Sequence, residues 1–146
     1  MKLALGCDHG GYSLMQEVKK YLDSLGIEYS DFGTYSEESC DYPVFAERAA
    51  NAILSGECDK GILICGTGIG ISISANKIHG IRAALCSDCF SAEMARCHNN
   101  ANMLALGARV LGTGLALKII DTFLNTEFSG GRHAVRVNMM MDLENK

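Results

Sequence analysis

The residues best suited to chemistry lie between Gly61 and Ser72, in the stretch Gly-Ile-Leu-Ile-Cys-Gly-Thr-Gly-Ile-Gly-Ile-Ser. A short apolar run, Ile62–Ile64, ends in Cys65, and glycines follow at 66, 68 and 70. The run reads as a buried strand and Ile71–Lys77 as a helical segment. Glycine lets the backbone turn tightly and approach a ligand with no Cβ in the way. The first N–H groups of a helix have no partner inside it, so they face whatever occupies the turn. Such a turn suits an anion or a developing oxyanion. A thiol beside it sits in a positive local field, which favours thiolate. Taken alone, Cys65 would read as a small apolar filler at a strand end. The glycine turn shifts the reading to a nucleophile or base beside an oxyanion pocket.

Basic residues near the carboxyl terminus point to an anion. Arg132 and Arg136 are four apart, on one face of a helix. Two guanidiniums that close repel each other unless an anion lies between them, and arginine suits phosphate. The start of a helix is also the unfavourable end for cations. The competing reading is a solvated basic helix start.

Composition bounds the rest. The chain has 146 residues, 48% hydrophobic and 21% charged, which are values of one globular domain. The net charge of −4 leaves no basic footprint for nucleic acid. No apolar run approaches the ~20 residues needed to cross a bilayer. The first residues meet Asp8 too soon for a signal peptide, so the expected compartment is the cytoplasm. The seven cysteines follow no framework spacing and read as free thiols in a reducing compartment. Cys86-Ser87-Asp88-Cys89 has the C-x-x-C form, but no second pair completes a zinc tetrahedron. Two apolar fillers near a strand end explain it as well.

The elements that must position these residues alternate. Strands are expected at Lys2–Cys7, Ile27–Phe32, around Ile62, at Ile81–Cys86 and at Met103–Leu106. Helices are expected from Tyr12 to Leu25, from Pro43 to Leu54, after the glycine turn, at Ser91–Cys97 and from Thr113 or Gly114 to Leu124. Leu14, Val18, Tyr21, Leu22 and Leu25 form the apolar stripe of the first helix, which Gly26 closes. Pro43 suits a first helical turn, and Ser87 or Asp88 a cap. Strict alternation of strand and helix implies a parallel sheet with helices on both faces. The expected strand order is 2-1-3-4-5, which puts the switch in direction between strands 1 and 3. Asp8-His9 and Cys65-Gly66-Thr67 end those strands. Tyr42, His98 and Arg109 also lie beside strand-end loops, so the polar residues are expected to converge on one edge.

A last amphipathic helix, from Arg132 to about Glu144, has no place in a closed monomer. Its Val135, Met139, Met140 and Leu143 need an apolar partner, and a neighbouring subunit is the simplest one. Gly130-Gly131 would be the joint. Residues 129–146 are thus read as a dimerisation arm on a single domain spanning 1–146.

The chain resembles a known family closely. Gly6-Cys7-Asp8-His9-Gly10-Gly11, Asp41-Tyr42-Pro43, Ile64–Ser72, Ala75-Asn76-Lys77, Gly80-Ile81-Arg82-Ala83, Arg96-Cys97-His98-Asn99, Leu106–Val110 and Gly130-Gly131-Arg132-His133 are similar to ribose-5-phosphate isomerase B. That family groups with the subunits of galactose-6-phosphate isomerase. The resemblance runs from Met1 to about Glu144. It implies a Rossmann-like α/β three-layer sandwich. It also implies an aldose–ketose isomerase of the pentose phosphate pathway, working without a metal or other cofactor. By resemblance Cys65 is the base that moves a proton between C2 and C1. Backbone N–H groups of Gly66, Thr67, Gly68, Ile69 and Gly70 would hold the oxyanion. His98, with Thr67 as its hydroxyl neighbour, would open the sugar ring, and an imidazole titrates where that step needs it. Asp8, His9, Tyr42 and Asn99 would hold the sugar, and Arg109, Arg132 and Arg136 the phosphate. The resemblance also implies that some carboxyl-terminal arginines come from a partner subunit, so the expectation is a homodimer with shared active sites; whether two dimers pair into a tetramer is left open.

Some relatives use a glutamate after the glycine turn as the base. Ile71–Asn76 carries no carboxylate, which supports the thiol variant. Other classes fit less well. A cysteine phosphatase would need arginine six residues after the cysteine, where Ile71 stands. The glycine spacing is not that of a dinucleotide fingerprint. An isomerase of a six-carbon sugar phosphate, and a sensor that binds sugar phosphate without turning it over, stay open as alternatives.

Overall fold

The computed structural model describes all 146 residues. Five strands, β1 (Lys2–Cys7), β2 (Glu28–Asp31), β3 (Lys60–Cys65), β4 (Ala83–Leu85) and β5 (Met103–Gly107), form one parallel sheet. The helices are α1 (Tyr12–Ser24), α2 (Tyr42–Leu54), α3 (Ile69–Ala75), α4 (Cys89–Cys97), α5 (Thr113–Asn125) and α6 (Arg132–Asp142). A 3₁₀ turn, Leu143–Asn145, ends the chain.

The sheet has two buried faces because its central strands are apolar on both sides. Leu3, Leu5, Ile62, Ile64, Leu104 and Leu106 point to one face, where α1, α4 and α5 bring Met15, Val18, Ala92, Ile119 and Phe123. Ala4, Leu63, Cys65, Met103 and Ala105 point to the other, against Ala46, Ala49, Ile71 and Ala75 of α2 and α3. This is the expected three-layer α/β sandwich. Alanines along α2 allow that helix to lie close to the strands.

The strand order differs from the expectation. It is β2-β1-β3-β5-β4, so β5 is interior and β4 is the edge. The physical reason is burial. Met103–Gly107 is buried along its whole length, whereas β4 has only three residues and Leu85 is exposed. Short strands with exposed positions belong at edges. Handedness then places the helices. Right-handed crossovers run over one face going one way along the sheet and over the other face coming back. The step from β4 back to β5 therefore carries α4 to the α1/α5 face. The switch between β1 and β3 stands as expected, since these strands are neighbours.

Local signals explain the boundaries. Gly26, at φ 66°, ends α1 in the left-handed region. Pro43 lies in the first turn of α2. Asp88 caps α4, its carboxylate accepting from Ser91 N–H at 2.7 Å. Helix α3 begins at Ile69, two residues earlier than expected, because Gly68 (φ 77°) is its cap. β4 is shorter than expected and excludes Ile81, Arg82 and Cys86.

Helix α6 folds back along the β4 side. Val137 is buried, Glu144 accepts the Gly80 N–H with both carboxylate oxygens, and Arg82 donates to Met141 Sδ. Its outer face remains uncovered within the chain: Val135, Met139 and Leu143 are 59%, 64% and 61% exposed.

Candidate active site

Cys65 ends β3, where the alternation of the strand turns its side chain to the α2/α3 face. The thiol is buried, and Gly68 N–H donates to its Sγ at 3.1 Å. That bond forms because the chain reverses sharply at Gly68. A Cβ there would lie 2.5 Å from Leu85 Cδ1 and 2.8 Å from the Leu106 carbonyl carbon, besides the left-handed φ. Ile69 N–H donates to Thr67 Oγ1 at 3.2 Å, which closes the turn. The N–H groups of Gly66, Thr67, Gly70 and Ile71 have no acceptor within the chain. These four amides lie in the turn that follows Cys65 and are left for an acceptor from outside the chain.

The neighbouring strand ends supply the rest of this cluster. Asp8 follows β1, is buried, and accepts Gly11 N–H at 3.1 Å through Oδ1, while its own N–H donates to Ile64 O. The ordinary reading of Asp8 as a carboxylate that ties down the start of α1 is thus partly met. Gly10 packs directly on the Gly66 backbone, which brings the β1 and β3 turns together. His9 Nδ1 accepts the Cys40 N–H at 3.2 Å. That bond requires a bare Nδ1, so the neutral ring carries its proton on Nε2. Tyr42 begins α2 and lays its ring against Gly70, where a Cβ would meet it at 2.5 Å. Arg109 follows β5. Its N–H donates to Gly66 O at 2.9 Å and its guanidinium packs on Gly66, leaving the side chain exposed. Asp8, His9, Tyr42, Cys65, Gly66, Thr67, Gly68, Ile69, Gly70 and Arg109 therefore share the carboxyl edge of the sheet.

His98, Asn99, Arg132 and Arg136 do not join them within one chain. His98 follows the last residue of α4, and the segment after it enters the amino end of the sheet. Asn102 O accepts Gly61 N–H there, and Asn100 O accepts from Arg82. Between the two edges runs the length of β3, six residues and about 16 Å at ~3.3 Å per step. The expectation that His98 converges with Cys65 on one edge fails for a single chain. The reason is generic: a helix that leaves the carboxyl end of a strand must end at the amino end of the next.

The amino-edge residues form a second cluster. The His98 and His133 rings stack with centroids 4.1 Å apart and planes 9° from parallel. Burial first, then His98, Arg132 and Arg136, push the His133 imidazole below its ordinary pKa. Arg96, by contrast, is buried and donates to Ala101 O, Asn100 Oδ1 and Thr126 O. It braces the loop rather than offering itself to a ligand. Cys86 lies in the core, where burial pushes its thiol up to about 11, and Cys7 behaves likewise at about 12. These two behave as apolar fillers. His79 is exposed and lies outside both clusters.

Sequence reasoning left two features unseen. The pairing of His133 with His98 joins residues 35 apart with no common motif. The hold of the Cys40 amide on His9 comes from a polar loop without periodicity. Neither leaves a signal in spacing.

A parallel α/β sandwich with a thiol in a glycine-rich turn, at the switch between its first and third strands, defines a class that binds small polar substrates at the carboxyl edge. Comparison with known proteins narrows that class. A family model described as Ribose/Galactose Isomerase matches residues 3–140. Ribose-5-phosphate isomerase B of Escherichia coli is 49% identical, over 99% of this chain and 97% of that protein. A galactose-6-phosphate isomerase subunit LacB of Clostridium acetobutylicum is 44% identical, over 88% of this chain and 74% of that one. The solved structure of Clostridium thermocellum ribose-5-phosphate isomerase B superposes with a TM-score of 0.98 at 56% identity, covering 99% and 98% of the two chains. The chain belongs to the ribose/galactose isomerase family.

Proposed function

We propose that this chain interconverts D-ribose 5-phosphate and D-ribulose 5-phosphate through an enediolate, with Cys65 as the base. The observation that carries the reading is the Cys65 thiol held by Gly68 N–H inside a turn of unpaired amides. An aldose–ketose isomerase must take the proton from C2, stabilise the oxyanion that results, and return the proton to C1. The thiolate serves the first and third steps. The amides of Gly66, Thr67 and Gly70 serve the second, since preorganised donors stabilise charge that develops in the transition state. The hydroxyl proton passes from O2 to O1 as the carbonyl moves from C1 to C2. Asp8, His9 and Tyr42 line the sugar beside the thiol.

The remaining roles fall to the amino-edge cluster of a second copy. His98, placed too far from its own Cys65, would open the sugar ring from the partner subunit, with Asn99 beside the sugar. Arg132 and Arg136 would take the phosphate with Arg109 of the facing chain. The uncovered Val135, Met139 and Leu143 support docking of residues 129–146 on that copy. The reading is a homodimer with two shared sites, able to pair into a tetramer, in the cytoplasm. No helix of the chain is long and apolar enough to cross a membrane.

Ketose formation from ribose 5-phosphate by the purified protein, with a chelator present, tests this reading. Sustained turnover that Cys65→Ala abolishes, with substrate binding retained, is the expected result. The similarity to a galactose-6-phosphate isomerase subunit supports a second reading, a six-carbon sugar phosphate as substrate. Turnover of allose or galactose 6-phosphate in place of ribose 5-phosphate would select it. Binding of sugar phosphate with Cys65→Ala silent in every assay would instead indicate a sensor.

A further inference from the structure

Helix α6 brings an imidazole into face contact with His98. The rings lie 4.1 Å apart and 9° from parallel, the geometry of a stack rather than of an edge contact. Two further contacts hold the junction: Ser129 N–H donates to Cys97 O at 3.0 Å, and the Cys97 thiol and Ser129 hydroxyl share a hydrogen bond at 2.7 Å. His98 therefore sits between the end of α4 and the start of α6. We propose that His133 is a positioning residue for His98, its stacked ring fixing the plane of the His98 imidazole. The proposal rests on the assignment of His98 as the acid/base that opens the sugar ring.

The chemistry follows from contact and charge. Two imidazolium rings at stacking distance repel, so a proton on one disfavours a proton on the other. Arg132 and Arg136 on α6 add positive charge to the same side. The Arg96 guanidinium turns inward to Ala101 O and Thr126 O, and Ser129 and Cys97 are neutral. The surroundings thus favour a neutral His133. A face-on neutral ring also blocks rotation of His98 about its own side-chain bonds. A group that gives and takes a proton within one turnover depends on that fixed orientation.

Two measurements test this separately from the assignment of His98. In the intact protein, the chemical shifts of the His98 ring protons are read by NMR in the wild type and in His133→Phe. The same spectra are taken of His133→Ala. An upfield ring-current shift of the His98 ring protons, kept in His133→Phe and lost in His133→Ala, is expected from the stack. Equal His98 shifts in the wild type and His133→Ala would overturn the proposal, whatever the role of His98. The second measurement is kinetic. His133→Phe keeps a stacking ring and should hold kcat within about twofold, whereas His133→Ala should lower kcat roughly tenfold. A rise in KM alone in His133→Ala, with kcat unchanged, would make His133 a substrate contact and overturn the positioning role. Undiminished kcat in His98→Gln would overturn the underlying assignment instead.

Discussion

The separation of Cys65 from His98 leads to a complementation experiment. The two lie at opposite edges of the sheet, about 16 Å apart along β3. In the proposed mechanism each must reach substrate atoms within hydrogen-bond distance, ~3 Å, and the C1–C2 unit and the ring oxygen of one pentose are only a few bonds apart. One chain cannot place both groups on one sugar. Cys65→Ala and His98→Gln should each be nearly inactive as homodimers, since a general base or acid contributes ~10²–10⁴-fold. Mixed and allowed to exchange subunits, equal amounts give about half heterodimers. In a two-fold dimer each heterodimer holds one site with both substitutions and one with neither. About a quarter of wild-type activity should return. The assay is ketose formation before and after exchange, with two affinity tags to isolate the heterodimer. Full heterodimer formation without recovered activity would refute the shared site. Recovery from the Cys65→Ala homodimer alone would refute the thiol as base.

Four further outcomes are expected. Gly68→Ala forces a left-handed alanine, at ~1–2 kcal/mol, into a space where its Cβ lies 2.5 Å from Leu85. With overpacking of ~1–3 kcal/mol, thermal unfolding should show a loss of about 2–5 kcal/mol, together with reduced turnover. Arg132→Ala/Arg136→Ala should raise KM for the phosphorylated sugar more than it lowers kcat, and unchanged KM would remove these residues from the phosphate site. Met139→Glu places a charge on the uncovered face of α6, and sedimentation should show monomers with little activity; an intact, active dimer would relocate the interface. The thiols of Cys7 and Cys86 are raised to about 12 and about 11, so the fold favours their protonated form. Their contribution is fully present below the ordinary thiol pKa, ~8.5, and is lost as pH rises through those values. Unfolding midpoints should therefore fall above pH ~9, less steeply in Cys7→Ala.

What the sequence determined by itself was local. Apolar runs, glycines and Pro43 placed the alternating strands and helices, because such signals act over a few residues. The Cys65 turn was legible for the same reason: a thiol, three glycines and a helix start are neighbours in the chain. The motifs also carried the family, which the comparisons bear out. Tertiary structure decided what depends on competition between distant segments. β5 took the interior place from β4 because Met103–Gly107 is buried on both faces, a fact visible only once the sheet is assembled. That choice, with right-handed crossover, fixed the side of the sheet on which α4 lies. The direction of α4 set His98 at the amino edge, away from Cys65. Spacing along a chain lists the groups available for chemistry; the height of the sheet decides which of them one molecule can bring together.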